Sequence, residues 1–379
     1  MDEVEDINQL IRQLNTERVP GAEGGGTSAR LEAWLQMLVE RSGSDLLLVA
    51  GAPPSLRVDG AITPLPSAPL SGEEIEEAVL PVLAPHARAQ YMQDSIADLS
   101  YKVRGLGRFR INLHRERGRP AAAIRALPTE PPRLASLGLP PGVEAITRLL
   151  RGLVLVGGPT GSGKTTTLAA LVEEINRRDS RHIVTIEDPI EYEHPHRSSL
   201  VEQVEIGTDA ADFPSALRAA MRQAPDVIVV GEMRDPETMR IALAAAETGH
   251  LVLSTVHTTD VASTVSRVAD SFPPERQSTI RQELSMALAA VLTQTLLPRK
   301  GGGRVAAAEL LFVSYGARQH IRKNDLQHLH QEIVLTKRQG SISLEESLAR
   351  LAKDGLVDVE EARTRAAHPA DFENQLRAG

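Results

Sequence analysis

Residues 158–165 read G-P-T-G-S-G-K-T, a full match to G-x-x-x-x-G-K-[ST]. Glycine at Gly158, Gly161 and Gly163 permits positive φ, so successive backbone N–H groups can converge on phosphate oxygens. Pro159, Thr160 and Ser162 complete the loop. Lys164 brings a point charge to the β- and γ-phosphates, and the Thr165 hydroxyl is suited to Mg²⁺, with Thr166 beside it. A helix starting here adds the positive end of its dipole. The expected ligand of residues 158–166 is a nucleoside triphosphate with Mg²⁺.

Such a loop binds nucleotide; hydrolysis also needs acids to hold the metal and to place a water. HIVTIEDPIEYEH (182–194) ends in four carboxylates, Glu187, Asp188, Glu191 and Glu193. DVIVVGEMRD (226–235) is an apolar run ending in Gly231-Glu232, with glycine where the usual second motif has aspartate. Spacing alone leaves open whether Glu232 or a residue of the first cluster acts on water. In TGHLVLSTVHTTD (248–260), His250 and His257 flank another apolar run, with Thr255, Thr258 and Thr259 nearby. Both histidines are candidate sensors of the γ-phosphate. Their spacing does not put them on one helical face, so a His-only metal site is not expected.

These segments need a scaffold. The apolar run at 153–157 precedes the phosphate loop, and Leu168, Leu171, Val172 and Ile175 after it have the i, i+3, i+4, i+7 spacing of a helix face. Strands are expected at 153–157, 182–187, 226–231 and 251–256, alternating with helices. That pattern implies a mainly parallel sheet covered on both faces. Upstream, residues 1–17 have the pattern of a short amphipathic helix and 18–28 of a flexible linker. Leu31, Trp34, Leu35 and Leu38 predict a helix, and strands are expected at 44–51 and 55–65, joined by Gly-Ala-Pro-Pro at 51–54. A helical stretch covers about 72–94, and alternation over 98–127 predicts two or three antiparallel strands. Five prolines between 127 and 142 mark a linker. The expected organisation is an extension and linker (1–28), an α+β domain (29–128), a linker (129–142), an α/β nucleotide domain (143–340) and terminal helices (341–379). The glycines at 301–303 are read as an internal loop.

Composition narrows the partners. The 379 residues carry a formal charge of −8, which argues against nucleic acid as a default partner. Aromatics are only 3%, so aliphatic residues must build the cores, and no basic-aromatic platform for single strands is apparent. There is no cysteine, which excludes disulfides and Cys-ligated zinc. No apolar run approaches the roughly 18–20 residues that span a bilayer. The acidic opening MDEVEDINQLIRQL lacks a secretory signal, so a cytoplasmic location is expected.

TIEDPIEYEH, DVIVVGEMRD and TGHLVLSTVHTT together resemble the acidic box, atypical Walker B strand and histidine box of the secretion and type IV pilus ATPase superfamily. SDLLLVAGAPPSLRVDG resembles the start of its PAS-like N-terminal domain, and GRFRINLHRERG the strand bearing its arginine fingers. Lacking the four-cysteine zinc site of assembly motors, the chain most resembles the retraction ATPases of type IV pili. SLEESLARLAKDGLVDVEEARTRAAHP is similar to their terminal helices.

The resemblance implies an N-terminal PAS-like domain followed by a RecA-like ATPase domain with extra C-terminal helices. It implies ATP and Mg²⁺ as ligands and a homo-hexamer acting on an inner-membrane platform protein, with an accessory retraction ATPase as a further partner. Glu191 would position water, Glu232 would stand near Mg²⁺, and His250 and His257 would read the γ-phosphate or relay its state. Arg110 and Arg125 would reach nucleotide across a domain or subunit gap, with Arg108 and Arg117 as weaker candidates. The implied function is ATP-driven pilus retraction; an extension or type II secretion motor, or a low-turnover accessory partner, is the alternative. Two segments depart from the retraction pattern. Leu47 replaces a histidine, and G-A-R-Q-H-I-R-K at 316–323 replaces A-I-R-N-L-I-R-E, predicting a basic face of Arg318, Arg322 and Lys323 over buried Ala317 and Ile321.

Overall fold

The computed structural model describes residues 28–378. The amphipathic helix expected at 1–17, and all of the linker but Ser28, lie outside the described residues. The chain divides into two compact units. One runs to Glu130 and takes in Pro189–Glu193; the other comprises Pro131–Asp188 and the chain from His194 onward.

The first unit opens with α1 (Ala29–Glu40), whose N-cap Ser28 accepts a bond from Leu31 N and whose buried stripe is Leu31, Trp34, Leu35 and Leu38. Its sheet holds β1 (Asp45–Val49), β2 (Ser55–Val58), β3 (Ala61–Pro64), β4 (Ile96–Val103), β5 (Gly107–Glu116) and β6 (Arg119–Leu127). Their order is β3-β2-β1-β6-β5-β4, and every neighbouring pair is antiparallel. The strand expected over 55–65 is two strands. Asp59 (φ 50°) and Gly60 (φ 83°) form the Asp-Gly turn that reverses it. The helical stretch at 72–94 is also two, α2 (Gly72–Val79) and α3 (Pro85–Asp94), because Pro81 and Pro85 interrupt the backbone ladder between them.

The second unit is built on β7 (Gly152–Gly157), β8 (His182–Glu187), β9 (Leu200–Glu205), β10 (Val227–Val230), β11 (Leu251–Val256), β12 (Leu288–Pro298) and β13 (Arg304–Phe312). The order is β13-β12-β7-β11-β10-β8-β9, parallel except for the β12–β13 pair. The central strands β7 and β10 carry no polar side chain and are buried at every position because both faces are covered. Leu153 and Leu155 enter one core while Val154 and Val156 enter the opposite one. The four expected strands are present, and the glycines at 301–303 connect β12 to β13.

Helix α4 (Lys164–Arg178) follows the phosphate loop; α5 (Phe213–Ala220), α6 (Pro236–Glu247), α7 (Val261–Asp270), α8 (Pro274–Ala287), α9 (Tyr315–Lys323) and α10 (Leu329–Leu335) come later. The terminal helices α11 (Leu344–Lys353), α12 (Val359–Arg365) and α13 (Pro369–Arg377) close a small core with Leu297, Val305 and Ala307 of the sheet. In α9, Ala317 and Ile321 are fully buried as expected. The expected basic face is smaller than predicted: Arg318 turns inward and donates to Ser285 O and Met286 O at the end of α8. Those carbonyls lack intrahelical partners, and a guanidinium satisfies them. Only Arg322 and Lys323 remain on the exposed side.

Candidate nucleotide site

Parallel register decides which residues meet. Val256 pairs with Gly157, Thr255 with Val156, and Val230 with both Ser254 and Ile186. The chain therefore leaves β7, β8, β10 and β11 at one edge of the sheet, the carboxyl edge where ligands of such sheets gather. The phosphate loop, Glu187, Glu232 and His257 all lie there.

Two glycines of the loop are obligatory. Gly158 has φ 149°, and a Cβ on it would come within 2.3 Å of Ser162 Oγ and 2.6 Å of Gln294 O. Gly163, the N-cap of α4, has φ 88°. Lys164 is 8% exposed, and its Nζ donates to Gly158 O (2.9 Å) and Pro159 O (3.0 Å). Burial lowers its pKa, against the opposing pull of Glu232. Ser162 Oγ is buried without a hydrogen-bond partner. An ammonium, an orphan hydroxyl and a helix N-terminus around one glycine-lined loop fit a phosphate group. Thr165 and Thr166, in the first turn of α4, are partly buried.

Glu232 stands just beyond β10. Its Oε2 is 2.8 Å from Arg234 Nε and 3.8 Å from His257 Nε2, and its side chain is 16% exposed. Burial, followed by repulsion from Lys164, lowers the pKa of His257; Glu232 opposes the shift. His257 is thus neutral at pH 7, able to donate from one ring nitrogen and accept at the other. Thr255 Oγ1 donates to Gly231 O (2.6 Å) and fixes the turn that carries Glu232.

The two histidines part company here. His250 precedes Leu251 at the amino edge of the sheet, roughly 20 Å from His257 at the strand rise per residue. Its Nδ1 lies 2.9 Å from Ala245 O. The two histidines expected to read the γ-phosphate or relay its state thus stand at opposite ends of one strand, with His257 at the edge that carries the phosphate loop.

The four carboxylates run from Glu187, the last residue of β8, into the segment that follows it. Glu187 accepts from Thr185 Oγ1 (2.7 Å) and Gln203 Nε2 (3.2 Å). Within the first unit, Glu193 pairs with Lys102 (2.8 Å) and Arg108 Nη1 donates to Ile190 O (2.8 Å). Glu191 lies between these anchors, partly buried.

Arg110 and Arg125 are direct register partners on β5 and β6. Like charges placed opposite each other are unfavourable alone, and each has its own aspartate: Asp98 at 3.6 Å and Asp45 at 2.9 Å. Both arginines are exposed on one face, a paired cationic surface suited to an anion. Arg117, at the β5–β6 turn, is exposed and pairs only locally with Glu116.

Sequence reasoning missed Gln294 of β12, which is 4% exposed and donates to Ser162 O (2.7 Å). It also missed Thr264, which meets Thr258 (2.6 Å) behind the histidine turn. A polar residue inside the apolar run AAVLTQTLL was the available signal for Gln294.

A family model described as Type II/IV secretion system protein matches residues 118–363. The type IV pilus retractation ATPase PilT of Pseudomonas aeruginosa is 40% identical over 338 residues, covering 89% of this chain and 98% of that protein. A twitching motility protein of Neisseria gonorrhoeae is 41% identical over 319 residues, covering 84% and 85%. Among solved structures, the pilus retraction motor PilT with bound ADP aligns with a TM-score of 0.83 at 43% identity, covering 91% of this chain and 98% of that one. The ATPase DotB of Legionella pneumophila aligns with a TM-score of 0.79 at 28% identity, covering 91% and 97%.

Proposed function

The chain belongs to the type II/IV secretion system protein family and is an ATPase of the pilus-retraction kind, and we propose how its residues do that work. Lys164 and the loop amides hold the β- and γ-phosphates of ATP. Thr165 and Glu232 would hold Mg²⁺, which when bound would supply positive charge to the phosphate oxygens. Glu191 orients the attacking water, and His257, 3.8 Å from Glu232, registers the γ-phosphate. His250 has no phosphate contact in this scheme and braces the end of α6. Arg110 and Arg125 exchange their aspartates for the phosphate charge of a neighbouring subunit in a homo-hexamer. The ring is cytoplasmic and works against an inner-membrane platform protein, alongside an accessory retraction ATPase. Among the described residues no helix is long and apolar enough to cross a membrane, so in this scheme the partner supplies the attachment.

The observation that carries this reading is the convergence of the phosphate loop, Glu232 and His257 at one sheet edge, in a chain that aligns with nearly the whole length of a retraction ATPase. A deletion strain should keep its pili, become hyperpiliated and lose twitching, and Lys164→Ala should fail to complement it. A bald deletion strain would instead mark an extension motor.

A further inference from the structure

Helix α4 carries a second charge cluster, two and a half turns beyond Lys164, that phosphate binding does not use. Its centre is Glu173, which is 1% exposed. A buried carboxylate is tolerated only with compensating charge and hydrogen bonds. Glu173 Oε1 accepts from Arg197 Nε (2.7 Å). Arg177 Nε lies 2.5 Å from the same oxygen, close as a charge but not aligned as a donor. His194 Nδ1 is 3.7 Å from Oε2. Burial pushes the Glu173 pKa up; His194, Arg197 and Arg177 outweigh it and hold the group below the ordinary carboxylate value.

Asn176, one turn on and fully buried, adds neutral bonds to the same stretch of chain. Its Nδ2 donates to Pro195 O (2.8 Å), its Oδ1 accepts from Arg197 N (3.2 Å), and its backbone O accepts from Ser198 N (2.9 Å). Apart from the intrahelical Arg177, every partner named here belongs to residues 194–198, directly downstream of Pro189–Glu193. Glu191 is therefore three residues from a clamped point.

We infer that Glu173, supported by Asn176, is a positioning residue that ties the acidic segment carrying Glu191 to the helix whose N-terminus receives the phosphate. The inference rests on the reading of Glu191 as the water-positioning carboxylate. A buried ion cluster can also serve stability alone, and the two roles differ in what they move. Glu173→Gln keeps size and an acceptor but loses the charge. In the full-length protein it should leave nucleotide Kd and KM within about threefold and lower kcat about 10–100-fold, the scale of a small misplacement of a catalytic group. Amide hydrogen exchange over residues 194–199 should quicken. Arg197→Gln, at a side chain one-third exposed, should give the same pattern more weakly, and it carries the test if Glu173→Gln does not fold. Unchanged exchange at 194–199, faster exchange with wild-type kcat, or losses of kcat and nucleotide binding in equal proportion would each overturn the inference. Glu191→Gln is assayed in parallel. Normal turnover there would remove the reading of Glu191, while exchange at 194–199 would still decide the clamp.

Discussion

The phosphate loop and the arginine pair present positive charge in opposite ways. Lys164 is buried, its pKa is lowered by burial, and it opens α4 directly after the loop that leaves β7, a strand whose side chains fill two cores. Arg110 and Arg125 are exposed, side by side on an antiparallel sheet, each held by one partly exposed ion pair. Exposed pairs contribute little and exchange readily, whereas a buried ammonium needs an anion. The first arrangement suits a ligand held through the whole cycle, and the second suits one engaged only in some states. The contrast can be broken or sharpened by substitution.

The largest effect belongs to the buried side. Lys164→Ala should abolish measurable ATP turnover and sharply weaken ATP binding while circular dichroism stays native; a folded variant with wild-type ATPase would remove the phosphate-loop assignment. Next comes Glu191→Gln, which should still bind Mg·ATP and lose about 10²–10⁴-fold in kcat, the usual scale for such a group. If Glu232→Gln shows that pattern and Glu191→Gln turns over normally, the two roles are exchanged. Smaller again is the contrast between the ends of β11. His257→Ala should lower kcat about tenfold or more, while His250→Ala should stay within about threefold, since it loses only a bond to a helix-end carbonyl. Equal losses would contradict the separation by sheet edge.

The smallest expected effect concerns pH. Glu309 on β13 accepts from Val261 N (2.9 Å), and burial pushes its carboxyl up to about 7, with Asp260 and Glu345 adding to the rise. The native state therefore holds a proton that the unfolded chain releases above its ordinary value near 4.5. Its stability contribution is complete below that value and is lost as pH rises through about 7. Glu309→Gln should flatten the dependence of Tm on pH across this window and raise Tm above it by about 2–4 °C. An unaltered pH profile would show that Glu309 does not titrate there.

What could be read beforehand follows the same division between local and distant causes. The four parallel strands are continuous Val/Ile/Leu runs, and the phosphate loop is a contiguous pattern, so both were legible. Leu288–Pro298 and Arg304–Phe312 were not foreseen as strands. They are rich in Ala and Leu, residues with high helix propensity, and only pairing with β7 and with each other makes them strands. The Asp-Gly pair at 59–60 is a legible hairpin signal, masked by the longer alternating run on either side of it. Arg318 could not be placed from sequence, because its partners are carbonyls 32 and 33 residues away. The histidines show the same limit in reverse. Sequence proximity suggested a shared site, and the direction of one strand separated them.

The central claim is that fixed and exchangeable charges complete each other's site between subunits. It is tested by mixing Arg110→Ala subunits with Lys164→Ala subunits and measuring steady-state ATPase in verified mixed rings. Each pure variant should be nearly inactive. The mixture should recover part of the wild-type rate, because some sites then combine an intact phosphate loop with a neighbour's intact arginine. Mixed rings that remain as inactive as the pure variants would contradict the claim.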